Sequence, residues 1–503
     1  MREKYVFQTL SQIFVYGFSL ASSYLLVYVF KVSLIGMLVF AQSLIGLFSL
    51  FTTLGFSQIY NQYNQKDNFE DYFSVLLFFK YLLLALNYIP LYFMFFLYNW
   101  NVDKILLLIL LISSTIRILI EPFSTHLLSK LKIFKRQLPN IIFSILESLL
   151  KVLIALNYSI LENPLLFYVL TQLLFVVIKS CFSLLMAKGE FKIKKLKPNI
   201  MKKFLKDTKP LILVNIISVF YANFKNVLID ISFGHETLAY FNFVWAYLIH
   251  FLYMITGEIK PLYLSHFSKK YQEKKFGDLE KVCNLIEKYS SILFIFILIF
   301  VFLNAKYLFE LFLPNYLPSL PFLYILIVTT YIAGINRPYS MLLIPGKKQM
   351  IYSYYSVIKM FLMITAIIIF VPNNFFSIKM FGFGPIALCY ILLTGWILEI
   401  FIHRYFAKKL FDISSYKKIF VHILNGLAAF IITYIIKLMI LDILIENKIF
   451  LVIIMTLLAL FIYITQLILF REIKRKDVRY ILSLLNVKRY KNSFLDEIKK
   501  DKN

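Results

Sequence analysis

Residues 104–128 read KILLLILLISSTIRILIEPFSTHLL. At 1.5 Å per residue a helix of this length exceeds the hydrocarbon thickness of a bilayer, about 30 Å. Apart from Lys104 at its edge, Arg117 and Glu121 are the only Lys, Arg, Asp or Glu side chains in it. The stretch is therefore predicted to be a transmembrane helix. Equivalent runs occur at 5–30, 34–58, 72–98, 137–157, 165–187 and 210–233, and then at 239–264, 283–304, 321–345, 351–371, 385–407, 419–440 and 448–470. The expectation is an all-α integral membrane protein of about fourteen transmembrane helices.

Composition agrees. Of 503 residues, 60% are hydrophobic and 16% charged, with mean hydropathy +0.76, which excludes a water-soluble enzyme. Cys181, Cys283 and Cys389 lie about a hundred residues apart and suggest neither a metal site nor a disulfide framework. No metal and no cofactor is expected. The net charge of +27 would point to nucleic acid in a soluble chain, but here it is read by location, and no nucleic-acid partner is expected.

Lys and Arg are retained on the cytoplasmic face during insertion. With fourteen spans, 39 of the 54 basic residues fall in the even-numbered connections and the two tails, counting Arg404 near the end of the twelfth span, against 5 on the opposite face. Both termini are expected in the cytoplasm. The apolar run after Lys4 continues to Phe30, too long for a cleaved signal peptide, so the first helix is expected to be retained.

Two basic segments interrupt the spans. Residues 188–209 carry nine Lys and an apolar set, Ile200, Met201, Phe204 and Leu205, at helical spacing. In the tail from Arg471, Val478, Ile481, Leu482 and Leu485 make a similar face. Such helices lie on anionic membrane lipid, while topology signalling alone also accounts for the charge. The expected organisation is a six-helix lobe at 1–187, a basic linker at 188–209, a second six-helix lobe at 210–418, two further helices at 419–470 and an amphipathic tail at 471–503. Gly36 and Ala239, each expected in a short turn after the first span of its half, hint at a repeat offset by 203 residues.

Several segments in order carry a family resemblance: LGFSQIYNQYNQ (54–65), KNVLIDISFGHETLAYFNFVWAY (225–247), KPLYLSHFS (260–268), ELFLPNYLPSLPFLYIL (310–326) and IKMFGFGPIALCYIL (378–392). The chain resembles the Wzx-type oligosaccharide flippases of the multidrug, oligosaccharidyl-lipid and polysaccharide exporter superfamily.

Charges inside apolar spans cost a few kcal/mol or more unless paired or hydrated. Lys260, Lys288 and Lys437 lie near helix ends and can snorkel. Glu147 and Lys151 form an i, i+4 pair that neutralises itself. Arg117, Lys225 and Arg337 lie deeper, with Glu121 one turn from Arg117. They are expected to line a hydrated cationic cavity together with Lys80 and Lys359; bridging helices within a lobe is the competing reading. Gln8, Gln12 and Ser19 recur at helical spacing on the first helix and could line the same cavity, or form a polar seam between helices.

The resemblance implies transport by alternating access of a polyprenyl-pyrophosphate-linked glycan for surface polysaccharide assembly such as lipopolysaccharide O-antigen, with polysaccharide polymerase machinery as a further partner. It also implies coupling to a proton or sodium gradient, for which Asp230, Glu147 and Glu121 are the titratable candidates. Relatives that handle peptidoglycan precursor carry basic residues in their first helices, which this first helix lacks beyond Lys4. A multidrug or cation antiporter of the same superfamily is the alternative, and it would want carboxylates in the cavity. No HExxH, GxSxG or P-loop is present and the longest external gap is about 304–320, so an embedded polymerase or glycosyltransferase is not expected.

Overall fold

A computed structural model describes residues 2–63, 69–97, 103–130, 132–157, 161, 163–249, 252, 267, 270, 273, 275–343, 349–375, 377–441 and 447–473. The chain folds as helices α1 (Arg2–Val29), α2 (Val32–Phe48), α3 (Phe56–Gln62), α4 (Phe69–Leu97), α5 (Lys104–Ser129), α6 (Ile133–Leu156), α7 (Pro164–Ala187) and α8 (Pro198–Asn242). These are followed by α9 (Phe276–Phe312), α10 (Leu320–Leu342), α11 (Gln349–Phe370), α12 (Ile386–Phe411), α13 (Ile419–Ile436) and α14 (Lys448–Leu469). A two-stranded antiparallel hairpin, Asn374–Phe375 with Ile378–Lys379, joins α11 to α12.

The protein is an all-α membrane protein. Among the described residues eleven helices are long and apolar enough to cross a bilayer, and Gly17–Val29 and Val32–Leu47 are shorter apolar helices. Most of the expected span at 239–264, the 260–268 segment and the tail beyond residue 473 lie outside the described residues.

Two local departures from the sequence reading have clear causes. The run 34–58 is not one helix, because Gly55 takes a left-handed conformation (φ 85°). Before it, Ser49 Oγ donates to the Gly46 carbonyl and Thr52 Oγ1 to that of Ser49, at 2.9 and 2.7 Å. Such back-bonding competes with the helical ladder, and the chain passes through a 3₁₀ turn at Leu50–Thr53. Gly36 lies inside α2, and Ala239 lies in the second of the two helical stretches of α8, which breaks at Gly234 (φ 84°, ψ 169°), so neither stands in a turn. A methyl group on Gly36 would stand 1.8 Å from the His235 carbonyl oxygen, so the glycine permits the close approach of α2 to α8.

By contact the chain forms two compact units, one of residues 11–247 and 347–391, the other of residues 1–10, 248–346 and 392–503. The first has an aromatic core around Tyr60, Phe73, Phe56 and Phe204, with Phe56 and Phe204 stacked at 5.7 Å. Ile200 and Met201 pack against it and Phe204 is fully buried. The apolar face of the linker is thus turned to protein rather than to lipid; only Leu205 stays exposed. Polar ties fix the same segment: Lys197 meets Asp71 at 2.8 Å and the Lys194 amide donates to Ser74 Oγ at 2.8 Å. Lys135 pairs with Glu190 on the linker. Burial alone would raise the Glu190 pKa, but Lys135 with Lys132 and Lys130 holds it below the ordinary value. The second unit is cored by Phe294, Ile295, Tyr331 and Tyr463 on α9, α10 and α14, with Ala429 of α13.

Candidate functional site

Three consecutive helices line an open recess of about 460 Å³ within the first unit. Helix α5 starts at Asp103, whose carboxylate accepts from the Ile105 amide at 2.8 Å, and α7 starts at Asn163, which accepts from the Leu166 amide at 3.2 Å with Pro164 in the first turn. With their starts fixed, these helices present polar stripes to one another. Arg117, Glu121, Ser124 and Thr125 come from α5, Arg136 and Asn140 from α6, and Lys179, Ser180 and Ser183 from α7. Ile120 and Val176 complete the wall.

Charge in this wall is unbalanced. Arg117, Arg136 and Lys179 face one carboxylate, Glu121, which is already engaged from behind. Lys80 Nζ, fully buried, donates to Glu121 Oε2 at 2.7 Å and to the Thr52 carbonyl at 2.9 Å, while Ser57 Oγ donates to Glu121 Oε1 at 2.7 Å. Behind the wall Glu147 accepts from Lys151 at 2.7 Å and from Lys179, and Lys151 Nζ also lies 4.6 Å from the centre of the Tyr168 ring. One carboxylate thus serves two ammonium groups, so the pair Glu147–Lys151 does not close on itself as its spacing suggested. Arg136 Nε donates to Ser124 Oγ at 3.2 Å. The result is a cationic recess lined with hydroxyl and amide groups, suited to an anion with hydrogen-bonding substituents.

Of the residues singled out in the sequence, Arg117 and Glu121 line this recess, Lys80 braces it, and Glu147 holds Lys179. Lys225 is in the same unit but elsewhere: it is buried, donates to the Ala222 carbonyl at 2.7 Å, and sits 5.5 Å from the Trp245 ring and 6.0 Å from that of Phe241. Asp230 contacts His235 at 2.6 Å across the helix irregularity at Gly234. Lys359 is half-buried on α11, and Arg337, half-buried on α10, belongs to the other unit. The side chains of Gln8 and Gln12 lie outside the described residues, and Ser19 is exposed. Arg136 and Lys179 are the cavity cations that the sequence reading did not assign to it.

The second unit has a polar network of its own. Buried Glu287 on α9 accepts from Arg404 on α12, from the Tyr339 hydroxyl on α10 and, at 2.9 Å, from the Tyr416 amide. The Arg404 guanidinium lies 5.6 Å from the centre of the Tyr339 ring. Arg404 is thus a structural ion-pair partner. Nearby Glu472 accepts from Lys418 at 2.7 Å and from the Tyr416 hydroxyl. Burial alone would raise its pKa, but Lys418, Tyr416 and His422 hold it down at about 2.

Residues 2–256 match the sequence model of a family described as "Polysaccharide biosynthesis protein". No curated protein sequence matches the chain. Among solved structures it is similar to a lipid II flippase MurJ in an inward closed conformation, with a TM-score of 0.69 and 17% identity, covering 93% of this chain and 99% of that one. It is also similar to a transporter of the multidrug, oligosaccharidyl-lipid and polysaccharide superfamily from Pyrococcus furiosus, whose binding pocket is described as reversed in polarity (TM-score 0.59, 16% identity, 81% and 95% covered). A multidrug resistance transporter in an inward-facing conformation matches with a TM-score of 0.57 and 15% identity over 79% and 96%. At such identities these likenesses establish the fold.

Proposed function

The chain belongs to the polysaccharide biosynthesis protein family, and from that premise we propose that it is a flippase carrying a polyprenyl-pyrophosphate-linked oligosaccharide across the bacterial cytoplasmic membrane. The observation that carries the reading is the recess of Arg117, Arg136 and Lys179 among hydroxyl and amide groups. Guanidinium and ammonium groups attract phosphate oxygens, and the neighbouring Ser, Thr and Asn side chains offer partners to sugar hydroxyls. A cation antiporter would need the opposite sign in its cavity, so the excess of basic groups favours the anionic cargo.

Transport in this reading is by alternating access between the halves on either side of the 188–209 linker, with both termini cytoplasmic. The glycan head crosses through the polar interior and the polyprenyl chain stays in lipid. Arg337 and Lys359 are proposed as further contacts of the head group along its path, and polysaccharide polymerase machinery as the downstream partner.

The test is complementation of a strain lacking its own oligosaccharide flippase. Arg117→Gln, Arg136→Gln and Lys179→Gln are compared with the unaltered chain for membrane abundance and for surface polysaccharide. Loss of polysaccharide at full abundance supports the reading, and normal polysaccharide from all three variants overturns it.

A further inference from the structure

Glu121 occupies an unusual place. Its side chain, 38% exposed, borders the cationic recess, yet both carboxylate oxygens are engaged with the break in the second apolar run. Oε1 receives the hydroxyl of Ser57 in the first turn of α3, and Oε2 receives Lys80, whose ammonium also holds the Thr52 carbonyl in the 3₁₀ turn. Between Thr52 and Ser57 lies Gly55, in the left-handed region at φ 85°. A methyl group on Gly55 would meet Asn215 Nδ2 at 2.7 Å and Leu211 Cβ at 3.0 Å, so the backbone pivot rests directly on α8.

We propose that Glu121 is a positioning residue that transmits occupancy of the recess by a phosphate-type anion to the Leu50–Gln62 segment, and through Gly55 to α8. This rests on the recess being the anion site proposed above. An anion drawn in by Arg117, Arg136 and Lys179 comes to lie beside the Glu121 carboxylate, and two like charges in a weakly screened space repel. Lys80 is too deeply buried to follow into the recess without abandoning Thr52. The carboxylate is relieved by turning back toward Lys80 and releasing Ser57. Helix α3 has no side-chain cap at Gly55, so losing the Ser57–Glu121 bond removes a polar tie of its first turn and leaves that turn held by the packing of Phe56 in the aromatic core.

The experiment uses the full chain in lipid nanodiscs with inorganic pyrophosphate as the probe. Binding is followed by thermal shift, and amide hydrogen exchange is followed over residues 50–62. In the unaltered chain pyrophosphate should speed exchange there roughly tenfold, the effect of losing one hydrogen bond to a charged group. Ser57→Ala should exchange that much faster without the probe and respond no further. Glu121→Gln should bind pyrophosphate at least as well while its exchange ignores it. Binding by the unaltered chain with unchanged exchange at 50–62 overturns the coupling alone, as does a Ser57→Ala variant that still responds. Absence of binding overturns the cavity reading and the coupling with it.

Discussion

Lys179 on α7 shares the carboxylate of Glu147 on α6 with Lys151, which meets it at 2.7 Å. All three groups lie in apolar spans and are mostly buried. Removing the shared counter-charge leaves two ammonium groups facing each other. Glu147→Gln is therefore expected to destabilise the protein by ~3 kcal/mol, the scale for breaking a buried pair by deleting one partner. Thermal unfolding in detergent would show it as a lowered midpoint. An unchanged midpoint would mean that the two lysines are neutral or hydrated without Glu147.

The linker offers a contrast between packing and charge. Phe204 is completely buried against Phe56, Phe79 and Tyr72, whereas the Lys197 side chain is 59% exposed where it meets Asp71. Phe204→Ala is expected to cost ~3–5 kcal/mol, the range for truncating a buried aromatic side chain. Lys197→Ala should cost under about 1 kcal/mol, as exposed ion pairs do. Equal effects in a denaturation series would show that the linker is held by its charges instead.

The spans, their order and the deepest charges were legible because an apolar run of bilayer length is a strong local signal, and a charge within it stands out. Arg117 and Glu121 were found that way. Arg136 escapes a reading by apolar runs because α6 begins at Ile133, four residues before the apolar run at 137–157, so this arginine sits on the helix ahead of the run. The available signal was periodic: 117/121/124, 136/140 and 179/183 are polar stripes at helical spacing on three successive helices. The burial of Phe204 and the pairing of Arg404 with Glu287 depend on partners more than a hundred residues away, which no local pattern reveals.

Gly36 gives a steric prediction. A side chain there collides with the His235 carbonyl on α8, where backbone meets backbone and neither side can yield by rotating a side chain. Gly36→Val should force α2 and α8 apart and cost ~1–3 kcal/mol or more, the scale for overpacking. The expected outcome is reduced membrane abundance and a lower unfolding midpoint. A variant as abundant and stable as the parent would contradict the close approach of the two helices.

The Glu472 carboxyl, held at about 2 against an ordinary value of 4.5, carries a definite pH signature. A carboxyl whose pKa is lowered by folding stabilises the folded state fully above its unfolded value. That contribution is lost as pH falls through the folded value. The stability difference between the unaltered chain and Glu472→Gln should be largest at pH 5 and above and shrink steadily between pH 4.5 and 2. Unfolding midpoints of both proteins across that range would check it, since other carboxyls titrate equally in each. A constant difference would mean that Lys418 and Tyr416 do not hold the ionised form.

Lys225 and Arg117 separate the two roles an intramembrane cation can play. Arg117 borders a polar recess, and the nearby Glu147 carboxylate keeps Lys151 and Lys179 as partners, so Arg117→Gln removes attraction for an anion without leaving that carboxylate unpaired. Its expected outcome is full abundance with surface polysaccharide reduced at least tenfold, since one charge-assisted hydrogen bond is worth about 1.5–3 kcal/mol. Lys225 lies against Trp245 and Phe241 with its ammonium on the Ala222 carbonyl, and it is not among the residues lining the recess. An apolar side chain of similar length can fill that place without the cost of burying a charge. Lys225→Met is therefore expected to keep or raise the unfolding midpoint and to retain polysaccharide. Loss of polysaccharide at full abundance in Lys225→Met would assign the ammonium to transport and place a second cationic contact outside the recess.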